Sequence, residues 1–365
     1  MNAKQISILV VTIAVIATAW NITTQKAPQT EVERGLLYPL LLENANNVDT
    51  IELRSKTDIT RLQRVDDRWL LTNKDNFVAN SALVRKLLLQ IAALKTVEPK
   101  TSTPDRYLRI GVADIESNDV GTQVLAKAGD QDAVGLIVGN AREASSKTQT
   151  YVRRIGEAQS WLVEGELEVA ADPIRWLDAL IVDIDSERIT EVEIVAGDET
   201  PIRIKKKEQD DSFFELQDIP AGYEAKSKTI ISSMGALLLD LRFNDVAAAS
   251  RIADQQATRT ITLKTSDGII AKLDEYPLDD QTFARFAFSL ERTADGTTEV
   301  SDAADAEAES DAEESETASL TPAQQVEQLV ARTNDWIYVL PKYKRRMIDR
   351  KFDSLIKEIE SEEDT

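Results

Sequence analysis

Stretches in which apolar and charged residues alternate predict strands in two separated parts of the chain. VDTIEL at 48–53 places its apolar residues in the same pattern as ITEVEI at 189–194, at an offset of 141 residues. Trp69 and Leu71 in DRWLL match Phe214 and Leu216 in SFFEL at an offset of 145. Apolar residues at period two between charged ones are typical of strands with one buried face.

A helical pattern follows each pair of predicted strands. NSALVRKLLLQIAALK at 80–95 and SKTIISSMGALLLDLR at 227–242 carry matching apolar stripes at a constant offset of 147. The stripes are Leu83, Val84, Leu87, Ile91 and Leu94, and Ile230, Ile231, Met234, Leu238 and Leu241. Asn80 and Ser227 are predicted N-caps, and Lys95 and Arg242 are predicted to end the two helices, where a cation favours the helix dipole.

The end of each pattern predicts a strand followed by a helix. QSWLVEGEL at 159–167 leads into DPIRWLDALI, with Asp172 as N-cap and Pro173 in the first helical position. WIYVLPKYKRR at 336–346 predicts a strand, a proline break and a closing helix, whose apolar face is Met347, Ile348, Phe352, Leu355, Ile356 and Ile359. Trp161 and Trp336 lie 175 residues apart, so the second pattern is about 28 residues longer.

These correspondences predict an α+β fold of two tandem similar units, each a mostly antiparallel sheet with packed helices. The predicted boundaries are 45–185 and 186–365. The acidic stretch at about 293–320 has the length of the difference and lacks periodic apolar residues, so we predict a disordered insert there.

The first residues predict a membrane segment, within a separate region at 1–24. Ile6–Ile22 carries no charge, Lys4 precedes it, and Trp20 suits an interfacial anchor, which predicts a transmembrane helix with a cytoplasmic N-terminus. A cleavable signal peptide is the alternative, because Ala17-Thr18-Ala19 resembles a cleavage site. For a bacterial protein, the expected location is the inner membrane, with the body in the periplasm.

Composition excludes several chemistries. The chain has no cysteine and no histidine, which excludes disulfides, thiolate nucleophiles, Cys/His zinc sites and histidine-based catalysis. The formal net charge of −21 would repel phosphate backbones, so nucleic-acid binding is not expected.

Four groups of residues invite a site assignment, and each has a structural alternative that we favour. Gly135 and Gly139 lack a phosphate-loop pattern, and a hairpin turn at Gly139-Asn140 explains them better. Asp183, Asp185 and Glu187 have calcium-loop spacing, but Arg188 stands where that loop needs glycine.

The other two groups are clusters of basic residues and serine–lysine pairs. Lys205-Lys206-Lys207 and the cluster at 342–351 (Lys342, Lys344, Arg345, Arg346, Arg350 and Lys351) could dock on anionic lipid or an acidic partner. The preferred interpretation is a solvated face or an intramolecular partner for the acidic insert. Ser145-Ser146-Lys147 and Ser227-Lys228 could supply a Ser-Lys nucleophile, but in places where a lysine would stay solvated. We therefore assign no catalytic, cofactor-binding or metal-binding residues.

The order of these elements resembles the domain of unknown function 4340 family. The resemblance rests on Ile51–Leu53, Trp69–Leu71, Leu83–Val97, Tyr151–Arg154 and Trp161–Val163, and it spans roughly residues 45–360. It implies a membrane-anchored bacterial envelope protein, as members of the family typically are. Some members are similar to parts of the auxiliary components encoded beside ABC-type transporters, including those linked to gliding motility. It carries over no catalytic or ligand-binding residues.

The expected function is a non-enzymatic, membrane-anchored extracytoplasmic accessory or scaffold subunit of an envelope complex such as an ABC-type transporter. Its expected partners are the membrane, through residues 6–22, and protein subunits of that complex. The alternative is a periplasmic module that binds a glycan or peptide in a groove between the two units, using exposed aromatic residues such as Trp69, Trp176 or Tyr223.

Overall fold

The described part of the chain is rich in antiparallel sheet and carries a few helices, which confirms the α+β class. The computed structural model describes residues 35–144, 147–209, 211–291 and 320–359. The α-helices within these residues are α1 (Leu41–Asn44), α2 (Ser81–Ala92), α3 (Tyr107–Ile110), α4 (Lys228–Ser232), α5 (Pro322–Thr333) and α6 (Lys342–Ile348).

The first large sheet has nine strands among the described residues, in the order β4-β3-β2-β1-β6-β7-β8-β9-β5. Neighbouring strands from β1 through β6 to β9 run antiparallel. The strands are β1 (Thr50–Arg54), β2 (Ile59–Val65), β3 (Arg68–Leu71), β4 (Phe77–Val78), β5 (Lys95–Pro99), β6 (Thr122–Ala128), β7 (Gln131–Ala144), β8 (Lys147–Arg154) and β9 (Ser160–Glu164).

The second large sheet has eight strands in the same described ranges, in the order β13-β12-β11-β17-β18-β19-β20-β16. Two strand pairs lie outside the large sheets, β10 with β15 and β14 with β21. The bounds of the remaining strands are β10 (Leu180–Val182), β11 (Ile189–Val195), β12 (Ile202–Lys205), β13 (Glu215–Leu216), β14 (Tyr223–Ala225), β15 (Leu241–Arg242), β16 (Asp245–Ala248), β17 (Arg259–Thr265), β18 (Ile269–Leu278), β19 (Gln281–Leu290), β20 (Trp336–Val339) and β21 (Ile356–Glu358).

Apart from β4 at one edge of the first sheet, the two large sheets share one strand order. In each, the three strands that come first in the chain lie on one side in reverse order, as β3-β2-β1 and β13-β12-β11. Four antiparallel strands then follow in chain order, β6 to β9 and β17 to β20. A strand that follows the helical segment, β5 or β16, closes the far edge.

Alternating burial confirms the predicted strands. Ile51 and Leu53 of β1 are buried between more exposed neighbours, and Val192 and Ile194 of β11 repeat the pattern. Trp336–Val339 is a strand, Leu340-Pro341 breaks it, and α6 begins at Lys342, as WIYVLPKYKRR predicts.

The first predicted helix is confirmed over most of its length. Helix α2 buries Val84, Leu87 and Ile91 along one face. It ends at Ala92, so the predicted terminal cation at Lys95 is wrong, because Lys95 already begins the edge strand β5. Leu94 is still fully buried, although it lies beyond the helix.

The second predicted helix is wrong as one continuous element. Ser227 is its N-cap, and its hydroxyl accepts from the Ile230 amide at 3.4 Å, but α4 has five residues and passes into a 3-10 turn at Ser233–Ala236. Arg242 belongs to strand β15 and ends no helix. Ile231, Met234, Leu238 and Leu241 are nevertheless buried, while Ile230 is exposed. The apolar stripe therefore marks the core but not the backbone conformation.

Two further helices are shorter than predicted. Asp172 accepts from the Ile174 amide at 3.0 Å and Pro173 follows it, but the element is a single 3-10 turn ending at Trp176. Helix α6 ends at Ile348, and a 3-10 turn at Phe352–Ser354 leads into strand β21. Phe352, Leu355 and Ile356 are buried as predicted, whereas Ile359 is exposed.

The hairpin turn predicted at Gly139-Asn140 is also wrong. Strand β7 continues to Ala144, and Gly139-Asn140 falls at a register irregularity between Val138 and Ala141 against β8. A Cβ on Gly139 would lie 2.2 Å from the Ile110 carbonyl oxygen, so glycine is required here by a close backbone approach.

The chain divides into two compact units. Among the described residues, one comprises 35–60 together with Ala82–Ala171, and the other comprises Arg61–Ser81 and the residues from Asp172 onward. The predicted membrane segment at 6–22 and nearly all of the predicted insert at 293–320 lie outside the described residues. Among the residues that are described, no helix is long and apolar enough to cross a bilayer.

Candidate functional site

A cleft of about 700 Å³ lies in the first unit, close to the start of the described chain. Its walls are the segment Leu37–Asn47, the turn from Ala128 to Ala133 that joins β6 to β7, and the side chain of Arg154. The volume is in the range of small-molecule sites, and most of the lining is apolar.

Arg154, the last residue of the YVRR motif, holds one wall of this cleft. It donates to the Leu37 carbonyl, and its guanidinium lies 5.4 Å from the centre of the Tyr38 ring. A second nitrogen lies 3.2 Å from a Glu157 carboxylate oxygen. Arg154 therefore fixes the backbone of the wall and also covers an aromatic face.

Tyr38 fastens the same segment to the sheet. Its hydroxyl donates to the Gly135 carbonyl at 2.8 Å. Burial raises the pKa of Tyr38 to about 12 and outweighs the opposing effects of the Gly135 hydrogen bond and of Arg154. The phenol is neutral at physiological pH and acts as a hydrogen-bond donor, which does not suit a general base.

The rim of the cleft is apolar and exposed. Leu37 and Leu41 are buried, whereas the side chains of Leu40 and Leu42 are 68 % and 61 % exposed. Asp132, the carboxylate in the lining, lies 3.9 Å from the Lys127 ammonium. The arrangement can hold or contact apolar groups, and it offers no acid–base pair for catalysis.

The two basic clusters from the sequence contain one buried lysine each, so a wholly solvated face is wrong for both. Lys206 donates to the Glu187 carbonyl at 2.8 Å and lies 5.5 Å from the Phe214 ring centre. Lys344 donates to the Ala236 and Leu239 carbonyls. Burial lowers the pKa of Lys344 more than Asp240 and Asp183 raise it. Both ammonium groups bind backbone carbonyls within the second unit.

Arg345 contributes to a buried ion cluster in the second unit. Its Nε lies 3.6 Å from the Glu275 carboxylate, and Arg259 lies 3.8 Å from the same group. Glu275 is 4 % exposed, and burial raises its pKa in spite of the two arginines. Arg259 also donates to Asp349 at 3.0 Å, which connects strand β17 to the residue after α6. The cluster fastens the closing helix to the sheet.

The acidic triplet forms turns. Asp185 caps a 3-10 turn by accepting from the Glu187 amide at 2.8 Å, and Asp183 accepts from the Asp240 amide at 2.8 Å. Across the described ranges, no three acidic residues are grouped so that they could hold a metal ion.

The remaining candidates do not form a site. Ser227 is engaged as a helix cap, and Ser145-Ser146 lie outside the described residues. Trp69 and Trp176 are buried in the core, which removes two of the three aromatic residues suggested for ligand binding. Tyr223 is 37 % exposed, and its hydroxyl lies 3.2 Å from Glu358.

Sequence reasoning missed the segment that forms the cleft. The signal was available, because Leu36–Leu42 reads LLYPLLL and follows the charged residues Glu31, Glu33 and Arg34. This run is too short to span a bilayer and has no strand or helix period. Its role depends on a contact with Arg154, 117 residues away along the chain, which no local pattern reveals.

The family model for "Domain of unknown function (DUF4340)" matches residues 69–265, which is more than half of the chain. The chain belongs to this family. The match begins in β3 and ends with β17, so it includes helix α2, the YVRR motif and Trp161–Val163, while Ile51–Leu53 lie just before it. No curated protein matches the chain.

Proposed function

We propose that this protein is a non-enzymatic, membrane-anchored accessory or scaffold subunit of a bacterial envelope complex, such as an ABC-type transporter. Two similar tandem units, at 45–185 and 186–365, form its body in the periplasm, and Ile6–Ile22 holds it in the inner membrane with the N-terminus cytoplasmic. The strand order that the two large sheets share, apart from β4, supports descent of the units from one duplicated unit.

One observation carries the scaffold assignment: the side chains best suited to chemistry serve the fold. Arg153 donates from Nε to the Val112 carbonyl at 2.9 Å, while Lys206 and Lys344 donate to carbonyls of neighbouring loops. A general base or nucleophile has to be available to a substrate. These cations hold backbone segments in place, which favours a rigid body that binds other proteins.

The uncharged run at 6–22 supports the membrane location, since its length reaches the short end of what spans a bilayer. Small residues such as Ala14, Ala17 and Ala19 would allow close packing against other membrane helices. The anchor would then contribute to partner choice as well as to tethering.

A crosslinked pull-down of the full-length protein from native membranes, followed by mass spectrometry, tests this proposal. Transporter subunits should co-purify, and their recovery should fall when residues 6–22 are replaced by an unrelated single span. Equal recovery with the unrelated span would contradict a specific role for the anchor. Recovery of a shortened, soluble protein alone would contradict membrane anchoring.

The second candidate is a periplasmic binding module for a glycan or peptide. The burial of Trp69 and Trp176 counts against the aromatic groove first expected for it, while the cleft beside Tyr38 offers a different position. A thermal-shift screen with soluble oligosaccharides and peptides tests it. A saturable shift that is lost in Arg154→Ala but kept in Arg285→Ala would favour this module over the scaffold.

A further inference from the structure

The segment Leu36–Leu42, here called the leucine rim, exposes apolar side chains although its backbone is fixed. The Leu37 amide donates to the Leu94 carbonyl at 2.8 Å, Arg154 donates to the Leu37 carbonyl, and the Tyr38 hydroxyl donates to the Gly135 carbonyl at 2.8 Å. Leu40 and Leu42 are nevertheless 68 % and 61 % exposed. Neighbouring exposed leucines on an anchored segment indicate a contact surface.

The residues that precede the rim in the sequence are mostly polar. Residues 23–34 read TTQKAPQTEVER, in which only Ala27, Pro28 and Val32 are apolar. This stretch separates the rim from the end of the predicted membrane segment at Ile22. Fully extended, it would reach about 45 Å, and any less extended path leaves the rim closer to the bilayer. The rim is therefore the first run of apolar residues in the sequence after the predicted membrane segment.

We propose that the leucine rim rests in the interfacial region of the bilayer, with Leu40 and Leu42 inserted at the boundary between headgroups and acyl chains. This inference rests on the membrane anchoring in the proposed function. Tyr38, within the rim, and Arg154, which lies over its ring, suit the headgroup level, because each combines an apolar body with a polar end. Two leucines are too few to bind a membrane alone, so the rim orients a body that the anchor already holds.

The charges near the rim indicate how it would bind. Arg154 is paired with Glu157, Asp132 lies near Lys127, and Glu43 is exposed beside Leu42. No excess of positive charge is present at these positions to attract anionic lipid. The contact should therefore depend on apolar insertion and be insensitive to salt and to anionic lipid content.

The natural absence of cysteine makes a direct test available in the full-length protein. Single-cysteine variants Leu40→Cys and Leu42→Cys carry an NBD fluorophore and are reconstituted through the anchor into phosphatidylcholine vesicles. The matched control is Val120→Cys, because Val120 is 65 % exposed, belongs to the same unit and lies outside the cleft lining. Circular dichroism establishes that all three labelled proteins are folded.

The expected result is a blue shift and a severalfold rise in fluorescence at positions 40 and 42 compared with detergent solution, with strong quenching by lipids spin-labelled near the headgroup. The fluorophore at position 120 should keep the emission of a solvent-exposed label. A tenfold rise in salt concentration should change none of these signals. Equal quenching at 40, 42 and 120 would overturn the proposal. So would a blue shift at 40 and 42 that occurs only in native membranes and resists lipid quenchers, because it would assign the rim to a protein partner.

The experiment distinguishes failure of the rim inference from failure of the proposed membrane anchoring. If residues 6–22 are cleaved or do not anchor the chain, the protein does not enter vesicles and the proposed function fails. If the protein enters the vesicles but positions 40 and 42 stay solvent-like, anchoring stands and only the rim inference is overturned.

Discussion

The two large sheets follow the strand order described above but differ in the backbone of the helical segment and in the register of one strand pair. In the first, helix α2 runs unbroken for twelve residues and strand β7 carries an irregularity at Gly139-Asn140. In the second, the helix passes into a 3-10 turn after five residues, and β18 pairs with β19 in continuous register from Ile269 to Leu278. The same topology therefore tolerates different local backbones.

The core positions explain this tolerance. Ile91 and Leu238, at the shared offset of 147, are both fully buried, although only Ile91 lies in an α-helix. A buried apolar side chain contributes through the area removed from water, which depends little on the backbone hydrogen-bond pattern. Each sheet can therefore keep its core positions while the connecting backbone changes, which predicts different sensitivities to substitution.

The irregularity in β7 should give the largest difference. In Gly139→Ala, the new Cβ would meet the Ile110 carbonyl oxygen at 2.2 Å, and backbone on both sides must move. We expect the free energy of unfolding to fall by about 3 kcal/mol or more. Urea denaturation followed by circular dichroism measures the loss.

Gly135→Ala, in the same strand, is the control. Its Cβ would make an ordinary 3.5 Å contact with Ile155, so the change should cost less than about 1 kcal/mol. Equal losses for the two variants would show that Gly139 matters only as a flexible residue in a strand and not as a close contact.

Strands β8 and β19 occupy equivalent places in the two large sheets, but they differ in the burial of an arginine. Arg153 in β8 is buried. Arg153 bonds the Val112 and Glu157 carbonyls and the Asp114 carboxylate, and its guanidinium lies 4.8 Å from the Tyr107 ring centre. Arg153→Met should lower the free energy of unfolding by about 1–3 kcal/mol, since the buried Val112 carbonyl loses its donor.

Arg285 in β19 is exposed and provides the matched control. Arg285→Met should change stability by less than about 0.5 kcal/mol. Hydrogen exchange at Tyr107–Ala113 gives a second measurement, because Arg153→Met should release this segment first. Unchanged exchange there, with a full loss of stability, would contradict the role given to Arg153.

The strands of this fold could be predicted because each needs only alternation along a few residues. Ile51, Leu53, Val192 and Ile194 show this, and so does the strand–proline–helix order of WIYVLPKYKRR. Helix lengths could not be predicted from apolar spacing, since Leu238 and Leu241 keep helical spacing outside any helix. The prediction also omits α5, although Thr321 and Gln324 form a capping box before it.

The cleft was beyond sequence reasoning for a different reason. Its walls combine Tyr38, Gln131 and Arg154, which lie far apart along the chain. The buried lysines were misjudged for the same reason, because Lys344 reaches carbonyls more than a hundred residues earlier. Charge clusters are normally solvated, and only the tertiary structure shows that one lysine in each cluster replaces a missing backbone donor.

Substitution of Gly235, in the 3-10 turn that interrupts the second helical segment, should cause a smaller loss of stability. A second substitution should relieve that loss. A Cβ on Gly235 would lie 2.6 Å from the Phe214 ring, so Gly235→Ala should cost about 1–2 kcal/mol. Because this contact is with a side chain, a smaller residue at position 214 should relieve it. In a Phe214→Leu background, the cost of Gly235→Ala should fall by at least half, as measured by a double-mutant cycle in urea. Additive costs would mean that Gly235 is needed for its backbone and not for the space beside Phe214.

The smallest expected effect concerns two carboxylates of the second sheet whose pKa values shift in opposite directions, although both have cationic neighbours. Hydrogen bonding by Lys205 lowers the pKa of Glu191, whereas burial raises the pKa of Glu275 although Arg259 and Arg345 are near. Glu191 therefore adds stability at neutral pH that is lost as the pH falls below the usual glutamate value. Ionised Glu275 opposes folding, so its contribution is most favourable at low pH and declines as the pH rises from about 4.5 through its raised pKa.

Unfolding free energies measured from pH 4 to pH 8 for the wild type, Glu275→Gln and Glu191→Gln test these signs. The stability advantage of the wild type over Glu275→Gln should shrink as the pH rises, because only the wild type has to ionise a buried carboxyl. The advantage over Glu191→Gln should grow over the same range. Parallel pH profiles for the two variants would show that Arg259 and Arg345 outweigh the burial of Glu275. The ion cluster beneath α6 would then resemble the partly exposed pair at Glu191 in its energetics.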